Sequence, residues 1–446
     1  MAHGRVTAAP LLPSAAVVPG TPHRNRFAFL CATLASMTTI LMGYTLALMS
    51  SAQLLIREDL GLTGVQVEVL TGSMNLFMLV SVLGAGWAAD LLGRRGTLVL
   101  ANAFLMASAL AMSAGGSYAA LMAVRFVTSV GVGFARVVAP VYNAEISPAS
   151  TRGVLSSLLD MFVNVGILLS YVSNYAFAGL PSHLGWRVMF AAGALPPVFL
   201  ATGVLAILES PRWLVMRGRH GEAHAVLART SGTPAEADLR LEEIKQAVSA
   251  SQAVRGGGGG VWKGMLVRPT KSVRRVLVCV VGLQFFQQAS GIDAIVLYSP
   301  LVFEKAGMSS NRAVLGATVA VGVVKTCFIL VATFLSDRVG RRPLLASAAG
   351  GAGLRSPDPL RRRRHVGGGA MPLRLRAQGT SLGTAVNRVT CGVVIMTFIS
   401  LAGWITMPWC FFLYAGVAAA AWAFVYAQLP ETSGRGLEDM DVLFSK

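Results

Sequence analysis

The stretch "GWAADLLGRR" (86–95) returns in altered form as "TFLSDRVGRR" (333–342), and this repeat decides the fold. In each copy an aspartate is followed after two residues by glycine and then by two arginines: Asp90 with Arg94 and Arg95, and Asp337 with Arg341 and Arg342. Glycine permits a tight turn. Arginines cannot enter lipid, so they hold the loop on one side of a membrane. The aspartate can pair with an arginine in one conformation and release it in another, which suits a gate. Two copies, each after a long apolar run, predict two similar halves.

The composition indicates a protein that crosses a membrane several times. Of the 446 residues, 54% are hydrophobic and 13% are charged, and the mean hydropathy is +0.62. A soluble protein carries about 25% charged residues. The net charge of +18 comes from basic residues between apolar runs, which indicates membrane orientation rather than nucleic-acid binding. We therefore interpret Arg361–Arg364 as part of a solvated loop or a mistranslated segment.

The sequence contains no pattern typical of an enzyme or a metalloprotein. Its five cysteines lie in or beside apolar runs without metal-ligand spacing. We find no nucleophile–base pair, no metal cluster and no phosphate-binding loop, and we expect no cofactor and no catalytic residue.

Ten segments are apolar enough to span a bilayer, which takes roughly 20 residues each. The predicted spans are 27–49, 66–89, 97–115, 119–140, 154–178, 187–208, 276–298, 313–335, 383–403 and 407–428. Lysines and arginines concentrate in alternate loops, which predicts that both termini are cytosolic. The predicted divisions are a cytosolic tail (1–26), a six-helix half (27–208), a cytosolic loop with short helices (209–275), a second half (276–429) with an irregular Arg/Gly-rich insert (344–372), and a cytosolic C-terminal tail (430–446).

Five motifs together resemble one family. They are "DRVGRRPLL", "PVYNAEISPASTRG", "ESPRWL", "FFQQASGIDAIVLYSP" and "LPETSGRGLEDM". As a set they resemble the sugar porters of the major facilitator superfamily, and the match extends to the plant polyol/monosaccharide transporters. The resemblance implies an all-α, multi-spanning major facilitator fold of two pseudo-symmetric halves. It also implies a sugar or polyol substrate bound between the halves near mid-membrane, transport by alternating access, and location in the plasma membrane.

The seventh predicted span carries the polar groups expected of such a site. We expect "LQFFQQASGIDAIVLYSP" (283–300) to lie in or near one helix, with Gln287, Gly291 and Tyr298 near one face at heptad-like spacing and Gln288 adjacent. Buried polar groups in a membrane are costly unless they are paired or face a wet cavity. Amides both donate and accept hydrogen bonds, as hydroxyl groups require. Interhelical hydrogen bonding alone is the alternative.

The resemblance also implies roles for other positions. With Gln287, Gln288 and Tyr298, the expected substrate-binding residues are Asp160, Asp293 and Asn387. The family's cytosolic charge network, which would pair the halves in the outward-open state, maps to Asp90, Arg94, Arg95, Glu145, Arg152, Glu209, Arg212, Asp337, Arg341, Arg342, Arg376 and Glu431. A plain solvated interface is the alternative for that network.

Three polar residues in the predicted spans either differ from the family pattern or are unusual within a membrane. The family has an aspartate, the expected proton site, where this chain has Thr45, which cannot titrate near pH 7. Asp160 or Asp293 is a candidate replacement, so proton symport and facilitated diffusion both stay open. Arg136 replaces a usually apolar residue. Lys325 lies in the eighth span, and we expect it to pair with an acid or to face the cavity.

The family has twelve spans, and the ninth and tenth should lie between Pro343 and Pro372. That interval is 30 residues long, counting both prolines, whereas two spans and a turn need about 45–50 residues. Only "LLASAAGGAGL" (344–354) is apolar, and it is too short to cross. The second half is therefore predicted to be incomplete, with about ten spans in total. The arginine- and glycine-rich stretch is typical of a frameshift or a wrong splice junction, so a non-transporting sensor or an inactive product is the alternative function.

Overall fold

The computed structural model of the chain describes residues 26–147, 152–255, 271–308, 310–339 and 376–428, and the regular elements over these residues are α-helices. Six helices form the first half: α1 (Arg26–Leu60), α2 (Gly64–Ala114), α3 (Tyr118–Ile146), α4 (Arg152–Ala176), α5 (Ser182–Ala192) and α6 (Leu195–Ala206). Three follow in the connecting segment: α7 (Pro211–Met216), α8 (His220–Thr230) and α9 (Pro234–Arg255). The second half has α10 (Lys271–Ala289), α11 (Ile292–Lys305), α12 (Asn311–Val339), α13 (Arg376–Ile405) and α14 (Met407–Gln428).

The helices confirm a multi-spanning protein. In the described ranges nine helical stretches are long and apolar enough to cross a membrane, with α5–α6 and α10–α11 each forming one stretch. Helix α2 has 51 residues, about twice the length that one crossing needs. It is broken at Gly93, whose φ of 85° lies in the region that favours glycine. Counting α2 twice gives the ten crossings predicted from the sequence.

Two glycines bring α1 and α4 into backbone contact. A Cβ atom at Gly43 would lie 1.9 Å from the carbonyl oxygen of Val163, and one at Gly166 would lie 2.0 Å from that of Ile40. Small residues allow this close approach in membranes, where packing replaces the hydrophobic effect as the driving force. The first half is therefore held by a contact that no larger residue permits.

The two halves share an apolar core where α1 passes into α2, which we call the outer end, following the orientation predicted from the sequence. Leu48 and Met49 of α1 are buried in one cluster with Tyr298 of α11 and Phe398 of α13. The rings of Tyr298 and Phe398 stack with their centroids 5.1 Å apart. The outer end is therefore closed between the halves in this structure.

Candidate functional site

The seventh crossing consists of two helices, so the prediction of one continuous helix through it was wrong. Helix α10 ends at Ala289 and α11 begins at Ile292. Gly291 between them has a φ of 76°, and a Cβ there would lie 2.8 Å from the ring of Tyr414. Only glycine fits both the backbone conformation and the space. The break places the glutamines at the end of α10 and Asp293 in the first turn of α11.

Asn387 of α13 is the centre of a cluster of side-chain amides. Its Nδ2 donates to Gln284 Oε1 at 2.8 Å and to Gln287 Oε1 at 3.2 Å. Its Oδ1 accepts from Gln288 Nε2 at 3.5 Å. Gln288 and Asn387 are buried, whereas Gln287 is exposed. Three of the residues that the sequence identified as substrate-binding therefore lie together, on two different helices.

Arg388 completes this cluster, although the sequence analysis did not single it out. Its Nη2 donates to Asn387 Oδ1 at 2.5 Å, and its Nη1 donates to Asn75 Oδ1 at 3.1 Å. Because Asn75 lies on α2, the guanidinium joins the amide cluster to the first half. An arginine within the apolar run 383–403 was the available signal, since intramembrane charges mark functional sites.

Tyr298 does not join the amide cluster. It is fully buried in the apolar core at the outer end. Its hydroxyl donates to the carbonyl oxygen of Ile395 at 3.0 Å. The break at Gly291 removes the heptad-like register with Gln287 on which its grouping was based.

Five of the charged residues in the predicted spans lie on five different helices: Arg136 on α3, Asp160 on α4, Asp293 on α11, Lys325 on α12 and Arg388 on α13. Asp160 is exposed, and Arg136, Asp293 and Lys325 are half-buried. Cys391 Sγ also contacts Asp293 Oδ2 at 3.6 Å. The amide cluster therefore contacts one cation, Arg388, and Asp293 packs against the same helix, α13.

A second site lies at the inner end, around the break in α2. Arg94 is paired with Glu145 at 3.0 Å and with Asp90 at 3.3 Å. Glu209 Oε1 accepts from the backbone nitrogens of Arg94 at 2.9 Å and Arg95 at 3.2 Å. A carboxylate in this position caps the helical segment that restarts after Gly93, because the first N–H groups of a helix lack partners.

These inner contacts lie among helices of the first half and Glu209, at the start of the connecting segment. Arg212 lies on α7 and is exposed. The side chains of Arg152, Asp337 and Arg376, and the whole of Arg341, Arg342 and Glu431, lie outside the part of the chain that the structure describes. The predicted pairing between the halves therefore stays a prediction.

The outer end carries contacts between the halves that sequence reasoning missed. Glu68 of α2 is 1% exposed. Its carboxylate accepts from the backbone nitrogen of Ser400 of α13 at 2.7 Å and from the Ser400 hydroxyl. Gln53 Nε2 of α1 donates to the carbonyl oxygen of Leu297 of α11 at 3.0 Å. A buried glutamate in the second predicted span was the signal that could have revealed this contact.

Beside these contacts, Thr45 borders a small cavity. Arg125 of α3 lines the same cavity and is 2% exposed. Its guanidinium donates to the backbone carbonyls of Leu70 and Thr71, each at 3.2 Å. The residue that departs from the family pattern therefore lies near a buried cation.

The chain matches the family described as Sugar (and other) transporter over residues 31–355 and 369–444. It is 47% identical to Polyol transporter 5 of Arabidopsis thaliana, covering 97% of this chain and 89% of that protein. It is 28% identical to the glucose transporter GlcP of Staphylococcus epidermidis, covering 93% of this chain and 96% of that protein. These relatives are transporters, not enzymes.

Among solved structures, the proton:xylose symporter XylE has a similar fold. The TM-score is 0.73 at 22% identity, covering 94% of this chain and 99% of that one. An inward-open structure of XylE from E. coli gives a TM-score of 0.73 at 21% identity, covering 94% of this chain and 100% of that one. The major facilitator fold predicted from the sequence is confirmed.

The same comparisons locate a departure from the family. The family match is interrupted at 356–368, inside the predicted insert at 344–372. The alignment with Polyol transporter 5 runs over 480 residues, more than the 446 residues of this chain. That relative therefore has residues within the aligned region which this chain lacks.

Proposed function

This chain belongs to the sugar transporter family of the major facilitator superfamily, and we propose that it carries a monosaccharide or polyol across a membrane by alternating access. The amide cluster centred on Asn387 is the observation that supports this substrate class. It presents several hydrogen-bonding groups at the junction of the halves, and hydroxyl groups of a sugar are both donors and acceptors. The proposed substrate-binding residues are Asp160, Gln287, Gln288, Asp293 and Asn387, together with Tyr298 once the outer end has opened, since Tyr298 is fully buried there in this structure.

The contacts at the outer end support alternating access. A substrate arriving from outside requires the bonds of Glu68 with Ser400 and of Gln53 with Leu297 to break. Opening would then be balanced by closure at the inner end. There the network of Arg94, with its partners in the first half, would meet its second-half counterparts: Asp337, Arg341, Arg342, Arg376 and Glu431. We place both termini in the cytosol and the protein in the plasma membrane.

Proton coupling in this proposal requires an acid other than residue 45. Asp160 and Asp293 are the acids that the sequence offers as replacements, and we propose that one of them binds the proton. An imposed proton gradient across proteoliposomes, applied to Asp160→Asn and Asp293→Asn separately, tests this. Uptake by the unchanged protein that does not respond to the gradient identifies facilitated diffusion.

Uptake of labelled glucose and glucitol into proteoliposomes tests the transport function. We expect uptake above that of empty liposomes, and we expect Gln288→Ala to reduce it strongly because the cluster loses a buried amide. Gln246→Ala is the matched control, since Gln246 is exposed on α9. Equal uptake by the unchanged protein and Gln288→Ala contradicts the proposal.

A non-transporting sensor is the second candidate, and the shortness of the chain between α12 and α13 favours it. Only residues 340–375 separate these helices, too few for the two further spans of the family. Substrate binding by the purified protein without flux in liposomes would identify this function.

A further inference from the structure

Arg125 of α3 carries a buried charge that no carboxylate of the described residues pairs with. It is 2% exposed, and its guanidinium donates to the neutral backbone carbonyls of Leu70 and Thr71. None of the ion pairs in the described ranges includes it. Glu68 lies on the same stretch of α2 as these carbonyls, but both of its oxygens accept from Ser400. Because a buried charge without a counter-charge is costly, an anion from outside the chain would stabilise this part of the first half.

The cavity that Arg125 lines has room for a small ion. Its volume is about 10 Å³, which is enough for roughly one water-sized particle. The side chain of Met112 on its wall is of a flexible type and can adjust to a slightly larger one. The lining residues come from α1, α2, α3, α5 and the turn after α5, and Arg125 is the one charged residue among them. A sugar is too large for this space, so the ligand that fits here differs from the transported substrate.

The hydrogen bonds around the cavity leave Arg125 and Thr45 to donate into it. The hydroxyls of Ser108 and Thr128 donate to carbonyl oxygens of their own helices at 3.0 and 2.9 Å. The hydroxyl of Tyr44 donates to another hydroxyl at 3.0 Å. In the described part of the chain the Thr45 hydroxyl has no acceptor, and the guanidinium, with five N–H groups, uses two of them on backbone carbonyls. The available groups are therefore N–H and O–H donors beside a positive charge, which is the environment that an anion requires.

We propose that this cavity binds chloride between the Arg125 guanidinium and the Thr45 hydroxyl. Chloride accepts hydrogen bonds from both groups, donates none, and neutralises the buried charge. Residue 45 is the position at which the family has an aspartate, so the bound ion supplies the negative charge that the threonine side chain lacks. The cavity is lined by the first half alone, so the proposal does not depend on which substrate the chain transports.

The unfolding midpoint of the full chain in detergent, measured in sodium chloride and in sodium methanesulfonate at equal ionic strength, tests the proposal. We expect the midpoint to rise with chloride, and at about 100 times the Kd the ratio of folded to unfolded protein should rise about 100-fold. Thr45→Val, which removes one donor, should raise the Kd for chloride about tenfold. Thr45→Asp supplies a carboxylate in place of the ion, so its midpoint should not respond to chloride. Thr233→Asp is the matched control, since it adds the same charge at an exposed position beside α9 and should keep the full response.

Three outcomes overturn the proposal. Equal midpoints of the unchanged protein in the two salts mean that the charge of Arg125 is borne without an anion. A chloride response that persists in Thr45→Asp means that the ion binds elsewhere. A midpoint of Thr45→Asp in methanesulfonate below that of the unchanged protein means that residue 45 does not bring a negative charge to the guanidinium. None of these outcomes bears on the uptake of sugars, so the proposed function is tested separately.

Discussion

Replacing Ser400 by alanine should open the outer end of the protein. The serine hydroxyl donates to the carboxylate of Glu68, which is 1% exposed and faces the other half. The substitution leaves the backbone bond at 2.7 Å in place, so the carboxylate stays buried with one donor fewer. Once the outer end opens, water solvates Glu68, and the serine hydroxyl no longer matters. The substitution therefore destabilises the closed arrangement selectively.

A hydrogen bond to a charged group contributes about 1.5–3 kcal/mol, so we expect a loss of about 2 kcal/mol. That corresponds to about a 30-fold rise in the ratio of open to closed protein. Leu297→Cys, in a background without the five native cysteines, reports this ratio, because residue 297 is 3% exposed at the junction of the halves. The reaction rate of the introduced thiol with a soluble maleimide should rise by a similar factor.

Ser113→Ala is the matched control. Ser113 is half-buried at the end of α2, and its hydroxyl donates within its own helix, to the carbonyl oxygen of Leu110 at 2.7 Å. We expect no change in the labelling rate at position 297 in this control. If Ser400→Ala labels no faster than Ser113→Ala, the bond to Glu68 does not hold the outer end closed, and the reasoning is refuted.

Three further substitutions test other parts of the structure. Gly43→Ala places a methyl group 1.9 Å from a backbone oxygen of α4. We expect about 1–3 kcal/mol of destabilisation, measured as a lower unfolding midpoint in detergent. Gly84→Ala, whose methyl group meets no atom within 4 Å, should have little effect. Arg94→Ala removes the cation paired with Glu145, whose largely buried carboxylate keeps the Ser210 hydroxyl as a donor, and should cost about 3–5 kcal/mol. Arg219→Ala, in an exposed pair, should cost about 1 kcal/mol or less. Equal midpoints for the two variants would contradict this. Thr45→Asp adds an acid beside the cavity that the buried arginine of α3 lines, so an inward proton gradient should stimulate uptake more than in the unchanged protein.

The crossings could be predicted from the sequence because hydropathy is a local property. The ends of the helices could not. Helix α1 continues to Leu60, beyond the predicted end at 49, because a helix can extend past the apolar segment into polar surroundings. The break at Gly291 depends on a positive φ and on the ring of Tyr414, and the second of these lies far away in the sequence.

The sequence predicted those site residues that match a family motif and are polar within an apolar run. It missed the residues whose hydrogen-bond partners are distant in the sequence. Gln287, Gln288 and Asn387 were named from the sequence, and the structure brings them together. Arg388 and Glu68 were not. Each is one charge in an apolar run, and its partner lies 313 or 332 residues away. A hydropathy pattern does not record such pairings.

The shortened second half affects the two parts of the proposed mechanism differently. The amide cluster uses α10 and α13, and the outer contacts use α11 and α13 with α1 and α2; all of these helices lie outside residues 340–375. The inner end differs, because Arg341 and Arg342 lie within residues 340–375 and Asp337 and Arg376 lie close to the ends of that interval. In the proposed mechanism, binding therefore uses helices that the chain retains, whereas closing the inner end would use the region where the family match is interrupted. Restoring two apolar spans between α12 and α13 should leave substrate affinity nearly unchanged and raise the rate of uptake. A restored chain that binds more tightly but transports no faster would show that the missing spans serve the binding site instead.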